Sequence, residues 1–558
     1  MAFSRFSGSR LMADLAAAGS EIPGYARPYK ACWVAALLFV SVAYPASAQE
    51  TTVTEYFDDR SGAMALNYDT ELYLCGMIHS SKGHDPVNSA VRAARTRVGW
   101  PNLLEDAETY GIPQTFNLCG HDAVFGDDGP GDLAKLDQFN LFHRDKHWWT
   151  NTWYSDAPPN GGDYRTVGDL SGYTRSYGLV YGGDMTEAAM NASVPHEISF
   201  HTFGHGGLNK LPGYILDETF RVGKIYHKRI GNKITAQAPP WNGNPIEARY
   251  PIFVDHGIFL YNRFEETTAK PHEVIENLWV IARHRGFDAD TDLRDDIDAV
   301  IAAGHVLAPY SHPEDGFAKP SRDGFQKTLA HAQAKVQSGE LWATTLSEIG
   351  RYCEAKSDVG TVTRSGEGAT TVEITLNDYK TETFGIPYLT FKSPMPDGSE
   401  FARISVDFPS DLTLNSNSDT VRVEDGLAVY SIYLNPNGPT NVRIEGVSAP
   451  HTDGVDINTP VLTVTTVAPT EPPSATPVKI QAQTESTDTI YTVNLIYQHN
   501  TGAKKSAIMT GKNGAWETEI GPFNPGDWVT YYVSATDNTA RRVTTPLQRF
   551  LVRAETSE

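Results

Sequence analysis

From residue 60 to about residue 355, short apolar runs alternate with amphipathic helical stretches, and after Ser357 the alternation stops. A chain that keeps alternating strand and helix is building parallel strands, because each parallel return needs a crossover long enough to hold a helix. The first part is therefore expected to be α/β, either a barrel or a doubly wound sheet. Residues 63–68, Ala-Met-Ala-Leu-Asn-Tyr, read as a buried strand ending at Asp69. Around residues 100–110, Leu103, Leu104 and Ala107 share one face at helical spacing, and Gly111 closes that helix. Residues 112–118 form the next strand, ending at Cys119-Gly120. Residues 272–284 and 292–303 read as helices, 305–310 as a strand, 323–338 as a helix, 341–345 as a short strand and 347–355 as a last helix.

Beyond Ser357 the composition turns to Thr, Val, Asn and Asp, with alternating stretches such as Glu400-Phe401-Ala402-Arg403-Ile404-Ser405-Val406. Such alternation suits half-buried strands, so residues 361–467 are expected to form a β-sandwich. Residues 468–477, Ala-Pro-Thr-Glu-Pro-Pro-Ser-Ala-Thr-Pro, read as a stiff linker. Residues 478–554 form a second β-module, with strong strands at 491–497 and 528–535. Its Tyr531-Tyr532-Val533-Ser534-Ala535-Thr536-Asp537-Asn538 string resembles the fibronectin type III and immunoglobulin-like modules appended to secreted bacterial enzymes.

The remaining segment, residues 1–48, is expected to be a signal peptide. Arg5, Arg10, Arg27 and Lys30 precede an apolar run over 31–43, followed by Pro45 and the small triplet Ala46-Ser47-Ala48. That run is shorter than the roughly 20 residues a membrane-spanning helix needs, so an uncleaved anchor is the lesser alternative and no transmembrane span is expected after processing. The whole chain of 558 residues carries a net charge of −22, and loss of residues 1–48 makes it −24. An acidic surface repels phosphate backbones, which argues against a nucleic-acid partner. Export would also leave three cysteines. Cys75 and Cys119 sit just past the ends of the first two strands and, if those strands are neighbours, are expected to bridge, the alternative being two buried free thiols; Cys353 is expected to be buried and free.

In parallel α/β folds, chemistry gathers at the C-terminal ends of strands. The strand ends here carry Asp69 and Glu71, then His121 and Asp122, then His201-Thr202-Phe203-Gly204-His205, and finally His312; His79 and His84 follow the first strand. Two histidines at i and i+4 share one face of a helical turn and can both reach one cation. A core histidine paired with a surface one is the plainer reading of that spacing. Trp148, Trp149, Trp153 and Trp241 are candidates for stacking on sugar rings or for packing under loops.

Several of these strings together resemble the polysaccharide deacetylases of the NodB-homology type. His196-Glu197-Ile198-Ser199-Phe200-His201-Thr202-Phe203-Gly204-His205 is similar to the family's metal motif. The helix and strand from Leu103 through Gly111-Ile112-Pro113-Gln114-Thr115-Phe116, and the stretch Trp342 to Tyr352, are similar to its other landmarks, in the same order over about half the chain. The resemblance implies a distorted (β/α)7 barrel over residues 55–357 and a metal-dependent deacetylase. It implies Asp69 as the catalytic base and His312 as the general acid. His201 and His205 would be metal ligands, with zinc the expected ion. It places Ala238-Pro239-Pro240-Trp241 at the groove wall, so Pro240 and Trp241, with His121, are expected to line the substrate cleft.

Two departures stand out. Where the family carries a second aspartate after the base, this chain has Thr70, so Glu71 is expected as the third ligand, with Asp122 as its rival. Phe57-Asp58-Asp59 imitates the paired-aspartate motif but precedes the strand and reads as a decoy. The groove arginine that orients the base is absent, with Ala238 in its place. The expected activity is that of an exported deacetylase that hydrolyses N- or O-acetyl groups from a polysaccharide. The alternatives are a catalytically impaired relative that binds glycan, and a non-sugar amidase on the same barrel.

Overall fold

A computed structural model of the chain describes residues 50–72, 86–123 and 182–553, apart from 204, 206, 210, 367, 397–398, 408–420, 449–461, 468–471, 473–475, 487, 501 and 503. All of these belong to one compact unit, residues 49–558. Cys75, His79, His84, Trp148, Trp149, Trp153, the signal segment and most of the expected linker lie outside the described residues. Among the described residues, no helix is long and apolar enough to cross a membrane.

The architecture is mixed α/β. Its largest sheet has eight strands, in the spatial order Tyr310–Ser311, Leu66–Thr70, Gln114–Leu118, Glu197–Phe200, Ala236–Gln237, Leu260–Phe264, Leu278–Arg283 and His272–Ile275. All neighbours run parallel except the last pair. Gly286, just beyond the seventh strand, bridges to Tyr310 in the first, so the two ends of the sheet curl toward each other. Helices Pro86–Tyr110, Gly183–Met190, Gly213–Arg229, Tyr250–Asp255 and Arg294–Ala303 fall between these strands in the chain, and Asp323–Gln337 follows the last of them. Gly111 takes φ +65°, the left-handed conformation that ends the first of those helices.

The strands alternate their faces, and that alternation decides where function can sit. Tyr68 and Phe116 point outward, with ring centroids 5.5 Å apart, and Tyr68 meets Phe317 and Phe325. Asn67, Asp69 and Asn117 point the other way and are fully buried or nearly so. Gln237 and Asn262 are also buried on their strands. The interior of the curl is thus polar, and an apolar core encloses it on the helix side.

Residues 272–284 are two antiparallel strands and not the expected helix. The β-branched and aromatic residues Val274, Ile275, Trp279, Val280 and Ile281 favour strands. Asn277, with φ +65°, makes the reversal between them. The helix expected at 100–110 begins earlier, at Pro86.

The β-rich remainder forms two pairs of sheets. Thr52–Val53, Tyr388–Pro394, Leu427–Tyr433 and Arg422–Glu424 make one sheet, and Val359–Gly366, Ala369–Leu376, Thr440–Val447 and Phe401–Asp407 the next. Val372, Ile374 and Val442 from one share a core with Leu389, Phe391 and Ile432 from the other. Strand Leu462–Val467, expected in this region, instead pairs with Val478–Ser486 in the C-terminal sheets. Those sheets dock on the α/β part. Ile496 and Tyr532 join its core, and Asn494 Nδ2 donates to the carbonyls of Lys228 (2.9 Å) and Arg229 (2.8 Å) at the C-terminus of helix Gly213–Arg229.

The decoy motif lies in this scaffold. Asp58 pairs with Arg60 and Arg422, and Asp59 with Lys392, so both aspartates tie the first strands to the β-region.

Candidate active site

Five side chains converge inside the curl. Asp69 sits near the end of its strand, Glu71 one residue past it, His201 directly after strand Glu197–Phe200, His205 four residues on, and His312 directly after Tyr310–Ser311. Two overlapping sets each have ligand atoms within 4.8 Å of one another: Glu71, His201 and His205, and Asp69, Glu71 and His312. The first four residues are buried, and His312 is partly exposed.

The two histidines do not share a helical turn. Residues 201–203 and 205 lie outside any helix or strand, with Thr202 at φ +62° and His205 at φ +56°. The left-handed positions bend the chain so that the rings lie 5.0 Å apart. Helical spacing and this bent loop both bring i and i+4 together, which is why the sequence pattern did not separate them.

His201 Nδ1 is 3.0 Å from the carbonyl oxygen of Ala238. A carbonyl only accepts, so Nδ1 carries the hydrogen, and in the neutral ring Nε2 is a lone pair. That lone pair is buried, has no hydrogen-bond partner among the described residues, and faces Asp69 Oδ2 and Glu71 Oε1, each at 3.6 Å. His205 Nε2 lies 2.7 Å from the same Glu71 oxygen, whose companion Oε2 is buried and also unpartnered. A lone pair pointed at two carboxylates is repulsive unless a proton or a metal ion lies among them. Ligand atoms of one tetrahedral zinc-sized ion stand about 3.3 Å apart, so Glu71, His201 and His205 fit such an ion.

Burial alone would raise both carboxyls, yet the neighbouring positive charge wins. The Arg283 guanidinium brings Asp69 down to about 2. His205 beside it holds Glu71 well below the carboxylate range. Burial holds His205 below its ordinary value, against the pull of Glu71. Burial works against protonated His312 as well, but the bond from Nδ1 to Asp315 Oδ2 (2.7 Å), with Glu314 and Glu71 nearby, pushes it up to about 10. Its Nε2 lies 3.7 Å from Glu71 Oε1.

Asp69 is oriented on both oxygens. Asn117 Nδ2 donates to Oδ1 at 3.0 Å, Arg283 Nη1 donates to Oδ1 at 2.9 Å, and Arg283 Nη2 binds Oδ2. The orienting arginine missing at Ala238 is thus replaced by Arg283, which ends strand Leu278–Arg283. Reading 272–284 as a helix concealed it. An arginine at a strand end, after an apolar run, was the available signal.

The remaining expected residues divide. Trp241 is 38 % exposed, with its ring 5.0 Å from that of His205. Pro240 is buried in the short turn Pro240–Asn242. His121 and Asp122 lie in the turn Gly120–Ala123, but their side chains are outside the description, so the rival ligand Asp122 is not placed. Glu197, within the metal-like motif, is not in the site: it accepts from Thr115 Oγ1 and from the Ser347 amide, at the start of helix Leu346–Asp358. Cys119 and Cys353 are both buried, and burial raises the free Cys353 thiol to about 12.

No protein-family model matches this chain, and no curated protein does. Among solved structures, an inferred polysaccharide deacetylase from Mycobacterium smegmatis is 13% identical, covers 54% of this chain and 92% of its own, and has a TM-score of 0.36. A CE4-family pseudoenzyme from Bacillus anthracis is 10% identical and covers 52% of this chain and 65% of its own, with a TM-score of 0.25. A mutant of that pseudoenzyme with restored enzymatic activity is 10% identical and covers 52% and 67%, also at 0.25. At such low scores, neither the fold nor the chemistry of this chain rests on these similarities.

Proposed function

We propose that the chain is an exported, zinc-dependent hydrolase that removes acetyl groups from a polysaccharide. The observation that carries this reading is the buried lone pair of His201 Nε2 facing the carboxylates of Asp69 and Glu71. A divalent ion held by His201, His205 and Glu71 supplies Lewis-acid polarisation of an acyl carbonyl and acidifies water. Asp69, ionised and fixed by Asn117 and Arg283, takes the proton of the attacking water. His312 is protonated and donates to the departing nitrogen or oxygen, which an amine requires because it leaves poorly without a proton. Asp315 holds His312 by its Nδ1 and so turns Nε2 toward the site. Trp241 offers an aromatic face beside His205 for a sugar ring.

A second reading is favoured by one observation. Arg283 holds Asp69 near 2, which makes it a weak proton acceptor and suits a protein that binds glycan without turnover. Purified protein reconstituted with zinc should release acetate from an N- or O-acetylated glycan, and Asp69→Asn and chelation should each abolish the release. Zinc-loaded protein that binds such glycans but releases no acetate would establish the second reading. Export predicts that the mature chain begins at Gln49, which N-terminal sequencing of secreted protein checks.

A further inference from the structure

Trp241 and Asn242 are consecutive non-glycine residues in the left-handed region, with φ +61° and +49°. Such backbone persists only where the surroundings over-determine it. Asn242 Nδ2 donates to the Tyr310 hydroxyl at 2.8 Å, and the Gly243 amide donates to the carbonyl of Pro240 at 3.0 Å. The turn so held stands Trp241 beside His205, with part of its indole open to solvent. The Tyr310 ring also packs against Arg283, whose guanidinium carbon lies 3.9 Å from the ring centroid. Arg283 in turn grips both oxygens of Asp69.

We infer that Tyr310 is a positioning residue with two separable jobs. Its hydroxyl fixes Trp241 as a stacking wall for a pyranose ring, and its ring holds Arg283 behind Asp69. Grip on the sugar and orientation of the base therefore pass through one side chain. The inference rests on the deacetylase reading above and adds to it the element that selects a ring-shaped substrate. A flat indole that is 38 % exposed fits the C–H-bearing face of a sugar better than it fits a flexible acyl chain.

Substitution separates the two jobs. Tyr310→Phe keeps the ring against Arg283 and loses the bond to Asn242, whereas Tyr310→Leu loses both. In the full-length, zinc-loaded protein, we expect Tyr310→Phe, like Trp241→Ala, to raise KM for the acetylated glycan about ten-fold with kcat within about two-fold. Tyr310→Leu should match that rise and lower kcat about ten-fold as well. A readout free of turnover is fluorine NMR of protein labelled with fluorotryptophan, the Trp241 resonance being assigned by its loss in Trp241→Phe. That resonance should move in Tyr310→Phe. An unmoved resonance, an unchanged KM in Tyr310→Phe, or an equal kcat loss in the Phe and Leu variants would each overturn the inference. Should wild-type protein release no acetate from any glycan, the proposed function falls, while the fluorine resonance still decides whether Tyr310 pins Trp241.

Discussion

Arg283 and Asp69 stand 214 positions apart in the chain, yet the guanidinium meets the carboxylate with both terminal nitrogens, Nη1 lying 2.9 Å from Oδ1. Both residues are buried, at 1 % and 3 % exposure. Two charges placed this deep hold each other in place, because either alone would be an uncompensated buried ion.

That mutual dependence predicts a pattern of stabilities. Arg283→Met and Asp69→Asn should each lower stability, the former by roughly 3–5 kcal/mol. The double variant should be more stable than Arg283→Met alone, since it removes the stranded carboxylate. Denaturant unfolding of the four proteins checks this. Simple addition of the two single effects would show that the pair is not coupled.

The ligand assignment predicts metal dependence. Zinc should raise the melting temperature of the wild type, and Glu71→Gln or His201→Ala should weaken zinc binding roughly ten-fold or more. Asp58→Asn should leave zinc affinity unchanged, because Asp58 pairs with Arg60 and Arg422 away from the site. Competition titration against a chelating dye measures all three.

A pH dependence follows from Glu354, which is buried with Trp279 Nε1 donating to its Oε2 at 2.6 Å. Burial raises its carboxyl to about 7, above the unfolded value of about 4.3. The folded state therefore binds this proton more tightly. The stabilisation is complete below about pH 4 and is lost as pH rises toward 7. Glu354→Gln should thus stabilise the protein above pH 7 by up to about 3 kcal/mol, with the advantage vanishing near pH 4. Thermal melts across that range check the sign.

The docking of the C-terminal sheets predicts a distant effect. Asn494→Ala removes one donor from each of the carbonyls of Lys228 and Arg229, which should cost about 1–3 kcal/mol. Hydrogen exchange should quicken in helix Gly213–Arg229, the helix that follows the His201–His205 loop. Faster exchange confined to residues around 494 would contradict this.

Much of the site was legible because strand ends announce themselves locally. Asp69, Glu71 and His312 each follow an apolar run, and His201 follows Ile198-Ser199-Phe200. What was not legible depends on partners far along the chain. The strand character of 278–283 arises from pairing with Leu260–Phe264, and only that pairing aims Arg283 at Asp69. The bend at Thr202 and His205 is likewise set by surroundings, since β-branched Thr avoids positive φ and the mild preference of His for it singles out no position. Strand Leu462–Val467 carries the same Thr-Val alternation as its predecessors, so composition could not say which sheet it joins.

Thr52 and Val53 pair with Lys392 and Phe391, although they lead directly into the α/β region. On the ribosome, this entry strand emerges first and waits for its neighbour until the whole α/β region has been synthesised. Ends separated so widely close late and slowly, because the intervening chain must be ordered before the contact rewards it. A cleavage near residue 357 would therefore release no self-sufficient α/β fragment, but one with its opening strand left bare. The α/β region and the first β-region form a topological loop, sealed at the point where the chain enters it.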